Sequence, residues 1–308
     1  MRWEDARRSD NVEDRRGEEG GFGGGGFGGG GGGIGGGSLG IGTIIVLGLI
    51  SYAFGIDPRI LIGGAEMVNN ARHGGSEYSQ PAERPDRQDR QAGAPTDQMG
   101  QFVAAILGYN EDVWKEVLPA QKGVRFVPAK LVLFDEQTQS ACGTAQSAMG
   151  PFYCPNDRQI YLDVSFFQDM QRKLGGGGDF AYAYVVAHEM GHHIQNLLGI
   201  LPKVQRAQQA AGNRAESNGY SVRLELQADC FAGVWAANTN KKWHNIDQSD
   251  IQKGIATAQA IGDDRLQGSR GGRVMPDSFT HGSSAQRVKW LQTGLDSGQV
   301  DSCNTFAQ

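Results

Sequence analysis

A glycine tract near the amino end limits how much of this chain can form a packed core. Between Gly20 and Gly37 only two phenylalanines and one isoleucine interrupt the glycines, and the residues before the tract are dense in charges of both signs. A long polar stretch rich in Pro and Arg lies further on. Such compositions offer too little apolar surface to bury. We therefore predict a disordered segment at 1–38, a flexible linker at 57–98 and one folded domain at 99–308.

An uncharged run lies between the glycine tract and the linker, LGIGTIIVLGLISYAFGI at residues 39–56. It is about long enough to cross the hydrocarbon core of a lipid bilayer as a helix, and membrane helices tolerate glycine. We predict one transmembrane helix in the inner (cytoplasmic) membrane, with a buried soluble helix as the alternative. Disulfides form outside the cytoplasm, so the cysteines favour a cytoplasmic N terminus and a domain on the periplasmic or extracellular side.

Charge and cysteine content narrow the class of function. A net charge of -5 argues against a nucleic-acid-binding protein, which needs a basic face. The four cysteines show no C-x-x-C spacing, so neither a zinc ribbon nor a redox pair is indicated. Cys142 and Cys154 flank a short stretch that could form a hairpin, so we predict a disulfide between them and a second one between Cys230 and Cys303. Four reduced cysteines are the alternative.

Hydrophobic periodicity predicts an α+β domain that is mainly helical and has a small β-sheet. Turn-forming and capping residues mark where several of its elements begin and end. The predicted elements are a helix from Met99 to Pro119, β-strands at 124–134 and 159–164, and helices at about 179–199, 216–238, 249–266 and 283–296.

The second predicted helix carries an H-E-x-x-H motif. Residues four apart share one helix face, so His188 and His192 can bind one cation while Glu189 lies beside a water molecule on it. A core histidine pair with an exposed glutamate is the alternative. Catalytic zinc takes three protein ligands and keeps a fourth position open, so another segment must supply a ligand. Gly191 is expected to allow the close approach of another backbone or of substrate, and His193 to pack beside the ligands.

The third predicted helix offers that ligand. Between Leu224 and Asn238 its only charged residues are Glu225 and Asp229, one turn apart in an apolar run. Carboxylates in such surroundings need a cation or strong hydrogen bonds. We predict Glu225 as the third zinc ligand and Asp229 as the acceptor for the outward ring nitrogen of a ligating histidine. The two roles can be exchanged, and a solvated helix face is the alternative.

Several longer stretches extend the pattern beyond this motif. Over residues 99–308, and in its anchored layout, the chain is similar to the bacterial neutral zinc metallopeptidase family. This resemblance implies a zincin-like, membrane-anchored domain with a protein or peptide substrate. The E-x-x-A-D segment also resembles the E-x-x-x-D element of membrane peptidases related to the CAAX-processing enzyme, which implies Glu225 as ligand and Asp229 behind it. The stretches that carry the similarity are HEMGHHIQNLLG, ELQADCFAGVW, CGTAQSAMGPFYCPNDRQIYLD and FTHGSSAQRVKWLQTG.

The expected function is that of a membrane-anchored zinc metalloendopeptidase, with Glu189 as the general base towards a zinc-activated water. His281, in a loop before the last predicted helix, is the candidate donor to the transition-state oxyanion; a loop histidine that only packs is the alternative. Extended substrate is expected to add to a sheet edge at 124–134 or 159–164. A catalytically silent zinc-bound scaffold at the membrane and a hydrolase of another amide are the rival functions.

Overall fold

Helices dominate the protein, and a small sheet packs beside them. The computed structural model describes residues 1–17, 93–174, 177–268 and 273–307, and for these the predicted α+β class is confirmed. The strands are β1 (Val12–Asp14), β2 (Lys130–Phe134), β3 (Gln137–Ser140), β4 (Gly143–Gln146), β5 (Phe152–Cys154) and β6 (Gln159–Asp163). The helices are α1 (Gln98–Lys122), α2 (Ser165–Leu174), α3 (Asp179–Leu197), α4 (Ile200–Ala210), α5 (Arg214–Trp243), α6 (Gln248–Ala260), α7 (Asp263–Gly268) and α8 (Ser284–Ser297).

Four strands form one sheet in the order β1-β2-β6-β5. The first three are parallel, and β5 pairs antiparallel with β6, so β5 and β1 are its edges. The expectation that substrate adds at 124–134 or 159–164 is therefore wrong, because β2 and β6 are inner strands whose main-chain groups are already paired. Strands β3 and β4 form a separate hairpin, which the predicted Cys142–Cys154 disulfide ties to β5.

The first 17 residues belong to the folded domain. Trp3 is buried and packs edge-to-face on Phe102 of α1, with ring centroids 5.3 Å apart. The Arg7 guanidinium donates to Glu111 at 2.7 Å, and β1 extends the sheet beyond β2. The prediction of disorder over residues 1–38 is wrong for this part, because its mixed charges pair with the domain instead of remaining in water.

The apolar run at 39–56 lies outside the described residues, as do the glycine tract and the linker up to residue 92. Within the described ranges, every helix is too short or too polar to span a bilayer. The chain before and after the run meets again where β1 pairs with β2 and Asp14 bridges to Gly93. A single crossing would leave those two parts on opposite sides of a membrane. The predicted topology, a cytoplasmic N terminus and an exported domain joined by one span, is therefore incompatible with this fold.

Close helix contacts fix the frame that holds the candidate site. α3 crosses α5 at Gly191, where an added Cβ would lie 3.0 Å from the Ala228 carbonyl oxygen. Helix α8 lies against α5 at Gly294, whose Cβ would lie 2.0 Å from the Cys230 carbonyl oxygen. The close approach expected at Gly191 is therefore made by backbone. The second predicted disulfide, Cys230–Cys303, joins α5 to the C-terminal turn.

One predicted helix is broken in the structure. The segment expected at 249–266 forms α6 and α7 with a break at Gly262. An added Cβ there would lie 2.3 Å from the backbone nitrogen of Ser284. The break lets Ser284, the first residue of α8, pack against Gly262, and this contact brings the loop before α8 towards α5.

Candidate metal centre

Two helices bring the H-E-x-x-H motif and a third carboxylate together in the core. On α3, His188 and His192 are buried on the face turned towards α5, and Glu225 on α5 is buried opposite them. The Nε2 atom of His188 lies 3.1 Å from one Glu225 oxygen, and Nε2 of His192 lies 3.5 Å from the other. Both rings thus direct the same nitrogen at one carboxylate.

The spacing of these ligand atoms fits a zinc ion. One atom from each of the three residues lies within 4.8 Å of the others. Ligands of a tetrahedral zinc ion at about 2.0–2.1 Å are separated from one another by about 3.3 Å, close to the two distances above. Two imidazoles and one carboxylate are also a known ligand set of catalytic zinc. Among the described residues, no second cluster of this kind occurs.

The charges of the cluster also call for a cation. Burial by itself would raise the pKa of Glu225, but His192 and His188 hold it well below its usual value, so this carboxylate is ionised in the core. Burial disfavours the charged form of His188, yet Asp229 and Glu225 outweigh it and raise its pKa to about 10. The pKa of His192 is raised by Glu225 in the same way, against its burial. A metal ion replaces these protons as the positive partner of Glu225.

Asp229 lies behind His188, one turn of α5 beyond Glu225. Its Oδ1 accepts from Nδ1 of His188 at 2.8 Å and from the Tyr184 hydroxyl at 2.6 Å. Because a carboxylate accepts here, Nδ1 carries a proton, and Nε2 is the nitrogen that gives up its proton to bind a metal. Arg287 of α8 binds both Asp229 oxygens at 2.8 Å. Burial opposes ionisation of Asp229, but Arg287 and His188 lower its pKa to about 2.

Glu189 is buried beside the two histidines and keeps one free oxygen. Its Oε2 has no hydrogen-bond partner among the described residues. Burial raises the pKa of its carboxyl, and the opposing influences are the two histidines and the main-chain N–H of Tyr153. Tyr153 is the middle residue of β5, so an edge strand of the sheet lies directly beside the motif. A buried carboxylate with a raised pKa next to a metal site has the properties of a general base.

His281 is brought towards this cluster by the loop before α8. The loop packs on α5, since an added Cβ at Gly282 would lie 3.2 Å from the Leu226 side chain. His281 is also near enough to Glu225 to contribute, after the two histidines of the motif, to the lowered pKa of that carboxyl. Asp263 anchors the loop: one oxygen lies 3.2 Å from His281 Nδ1, and the other accepts three consecutive main-chain N–H groups. Nε2 of His281 is buried without a partner in the described part of the chain.

His193 follows His192 on α3, about a quarter turn round the helix, and contacts β5 and the chain before β2. Its Nε2 donates to the Val127 carbonyl at 2.6 Å, and its Nδ1 lies 3.0 Å from the Tyr153 hydroxyl. Burial lowers the pKa of His193 to about 4, so the ring is neutral. The side chain fastens α3 to the sheet, as the expectation of a packing role stated.

Sequence reasoning did not single out four residues that contact the site residues: Tyr184, Gln195, Asp263 and Arg287. Tyr184 and Gln195 lie on α3, four residues before His188 and three after His192, so helical spacing could have indicated them. Arg287 and Asp263 come from elements distant in sequence, and no local pattern connects them with α3.

A buried cluster of two histidines and a glutamate, with a second glutamate beside it, has the residue types of the catalytic zinc sites of hydrolases. Residues 1–306 match the family described as "Putative neutral zinc metallopeptidase", and the chain belongs to this family. It is 44% identical to the uncharacterized protein YpfJ of Escherichia coli (strain K12), over the whole of this chain and 99% of that protein. It is 43% identical to the uncharacterized protein Rv2575 of Mycobacterium tuberculosis (strain ATCC 25618 / H37Rv), over 70% of this chain and 73% of the relative.

No solved structure matches the chain. The zincin-like part of the predicted fold class therefore stays a prediction, while membership of the metallopeptidase family rests on the match along almost the whole sequence.

Proposed function

We propose that this protein is a zinc-dependent metalloendopeptidase in which His188, His192 and Glu225 hold the metal. The proposal is supported above all by three buried ligand atoms that lie within 4.8 Å of one another, beside a Glu189 oxygen that has no hydrogen-bond partner among the described residues. When bound, zinc acidifies a water molecule and polarises the carbonyl of the scissile bond. Glu189 takes the proton from that water as it attacks the carbonyl carbon, and delivers it to the leaving amine.

The edge strand β5 is the proposed binding site for extended substrate. It forms one edge of the sheet, and the main-chain N–H of its Tyr153 is close enough to Glu189 to lower the pKa of that carboxyl against the larger effect of burial. A peptide that adds to this edge by main-chain hydrogen bonds would carry a carbonyl past Glu189. The Cys142–Cys154 disulfide holds the end of this strand. Recognition through the main chain favours an unfolded or extended protein segment as substrate.

His281 is the proposed donor to the oxyanion that forms during attack. With Nδ1 beside Asp263, Nε2 is the ring nitrogen left to face the oxyanion, and it donates when both ring nitrogens carry a proton. Loss of one donor of this kind lowers kcat by about 10²–10³-fold. His281→Leu, which has no side-chain donor, is expected to lower kcat by that amount while the protein still binds zinc. Unchanged kcat in this variant would leave His281 with a packing role only.

The experiment that tests the function compares the zinc-loaded full chain with its Glu189→Gln variant on an unfolded protein substrate. A general base contributes about 10²–10⁴-fold, so kcat is expected to fall by that factor at unchanged zinc content. Glu116→Gln serves as the control, because Glu116 is exposed on α1 and pairs with Lys242. Equal activity of wild type and Glu189→Gln would remove the proposed base. If wild type and all variants bind zinc but none of them cleaves the substrate, the catalytically silent scaffold would be favoured instead.

Attachment to a membrane through the apolar run remains part of the proposal, with the first 17 residues and the domain on the same side. Two disulfides support a location outside the cytoplasm, where such bonds persist.

A further inference from the structure

The second metal ligand, His192, ends a buried chain of amide hydrogen bonds. Its Nδ1 lies 2.9 Å from Oε1 of Gln195, one turn further along α3. The Gln195 amide nitrogen donates to the Leu224 carbonyl at 2.7 Å and to Gln227 Oε1 at 3.2 Å. The Gln227 amide nitrogen in turn donates to the Cys303 carbonyl at 2.9 Å. The chain thus runs from the metal site across α5 to the disulfide-linked C-terminal turn.

Two carbonyl groups fix the direction of every bond in this chain. A main-chain carbonyl only accepts hydrogen bonds, so the Gln195 atom that faces Leu224 is its NH₂ group and its oxygen faces His192. The Cys303 carbonyl orients Gln227 in the same way. The Gln195 oxygen can only accept, so Nδ1 of His192 carries the proton. Nε2, the atom directed at Glu225, is then the nitrogen whose lone pair would bind a metal.

The two histidine ligands therefore have different supports. His188 is held by the ionised Asp229, whose charge is balanced by Arg287. His192 is held by a neutral, fully buried amide. Outer partners of ligating histidines fix the tautomer and the ring orientation, and their loss typically costs 10–100-fold in metal affinity.

We propose that Gln195 is a positioning residue that holds His192 in the tautomer and orientation in which it binds metal. This inference rests on the proposed zinc site. The main-chain bond to Leu224 provides the competing explanation, because it ties α3 to α5 and would serve stability alone. The two roles use different atoms of the Gln195 amide, so substitutions can separate them.

Zinc affinity of the full chain, measured by competition with a chelator of known affinity, is the first readout. Gln195→Met removes both acceptor and donor and is expected to weaken zinc binding 10–100-fold. Gln195→Glu keeps an acceptor for His192 but loses the donor to Leu224, so its affinity is expected to stay within about threefold of wild type, even though its stability falls. Gln208→Met is the matched control, because Gln208 is a buried glutamine that bonds Ser221 away from the cluster.

The second readout is the Nδ1–H resonance of His192 in the zinc-loaded, ¹⁵N-histidine-labelled protein. It is expected to be slowly exchanging in wild type, Gln195→Glu and Gln208→Met, and fast or absent in Gln195→Met. A purely structural role of Gln195 would weaken zinc binding equally in the Met and Glu variants, and that result would overturn the proposal. Wild-type zinc affinity in Gln195→Met would overturn it as well. If Gln195→Met does not fold, more than tenfold loss of affinity in Gln195→Glu overturns it alone. Failure of wild type to bind zinc would instead refute the proposed function.

Discussion

Replacing Arg287 with methionine would leave the Asp229 carboxylate buried without its cation. Arg287 is fully buried, and it donates to both Asp229 oxygens at 2.8 Å and to the Tyr184 oxygen at 3.3 Å. Removing one partner of a buried ion pair costs about 3–5 kcal/mol. Tyr184 and His188 still donate to Asp229 in the variant, so we expect the lower end, about 3 kcal/mol of unfolding free energy.

A double variant isolates the charge from the lost packing. Asp229→Asn combined with Arg287→Met removes both charges and keeps an oxygen for Nδ1 of His188. We expect it to be more stable than Arg287→Met alone by about 2 kcal/mol, a coupling typical of groups in direct contact. Lys242→Met is the control for an exposed pair: Lys242 and its partner Glu116 are largely exposed, so its loss should cost about 1 kcal/mol or less.

The assay is urea denaturation followed by circular dichroism. A chelator is present throughout, because bound metal would add its own stabilisation. A cost below about 1 kcal/mol for Arg287→Met would refute the reasoning, because surface pairs reach that value. A double variant no more stable than the single one would show that packing of the arginine, and not its charge, is what matters.

Three other predictions follow from the fold. Gly294→Ala should destabilise the protein by about 1–3 kcal/mol, because the new Cβ meets a backbone carbonyl of α5. In the control Gly219→Ala the new Cβ meets nothing within 4 Å, so this variant should stabilise α5 by up to about 1 kcal/mol. Equal effects of the two substitutions in urea denaturation would contradict the prediction. Burial lowers the pKa of His193 to about 4, so its neutral ring contributes about 3 kcal/mol of unfolding free energy above pH 6.5, and this contribution is lost as pH falls from 6.5 to 4. With a chelator present, the unfolding free energy of His193→Gln should therefore depend less on pH than that of wild type. An equal pH dependence in the two proteins would contradict this prediction. In cells, a thiol reagent that does not cross membranes should label both Asp10→Cys and Asp301→Cys or neither of them, because both exposed positions belong to one folded body. Labelling of only one variant would show that the two positions do not lie on the same side of the membrane.

The sequence determined what depends on helical spacing. His188, Glu189 and His192 lie within five residues, so one α-helix places them together whatever surrounds it. Glu225 and Asp229 were found because two carboxylates in an apolar helix require partners. Their division of roles remained open in the sequence. In the fold, Glu225 faces both Nε2 atoms and Asp229 faces Nδ1 of His188.

The place of the N terminus could not be predicted from composition. Mixed charges indicate a solvated segment, and only the tertiary structure supplies the partners, such as Glu111 for Arg7. The same pairing overturned the predicted membrane topology. β5 was missed as the edge strand because it is only three residues long, too short for a periodic pattern.

The sequence by itself thus determined which residues of each helix face the candidate metal site, because the 3.6-residue turn of a helix sets which side chains share one face. Only the tertiary structure decided how that site is supported. Arg287 and Asp263 contact it from α8 and α7, and Gln195 connects it to Cys303 through Gln227. Contacts between distant segments depend on how whole helices pack, which no local pattern in the sequence records.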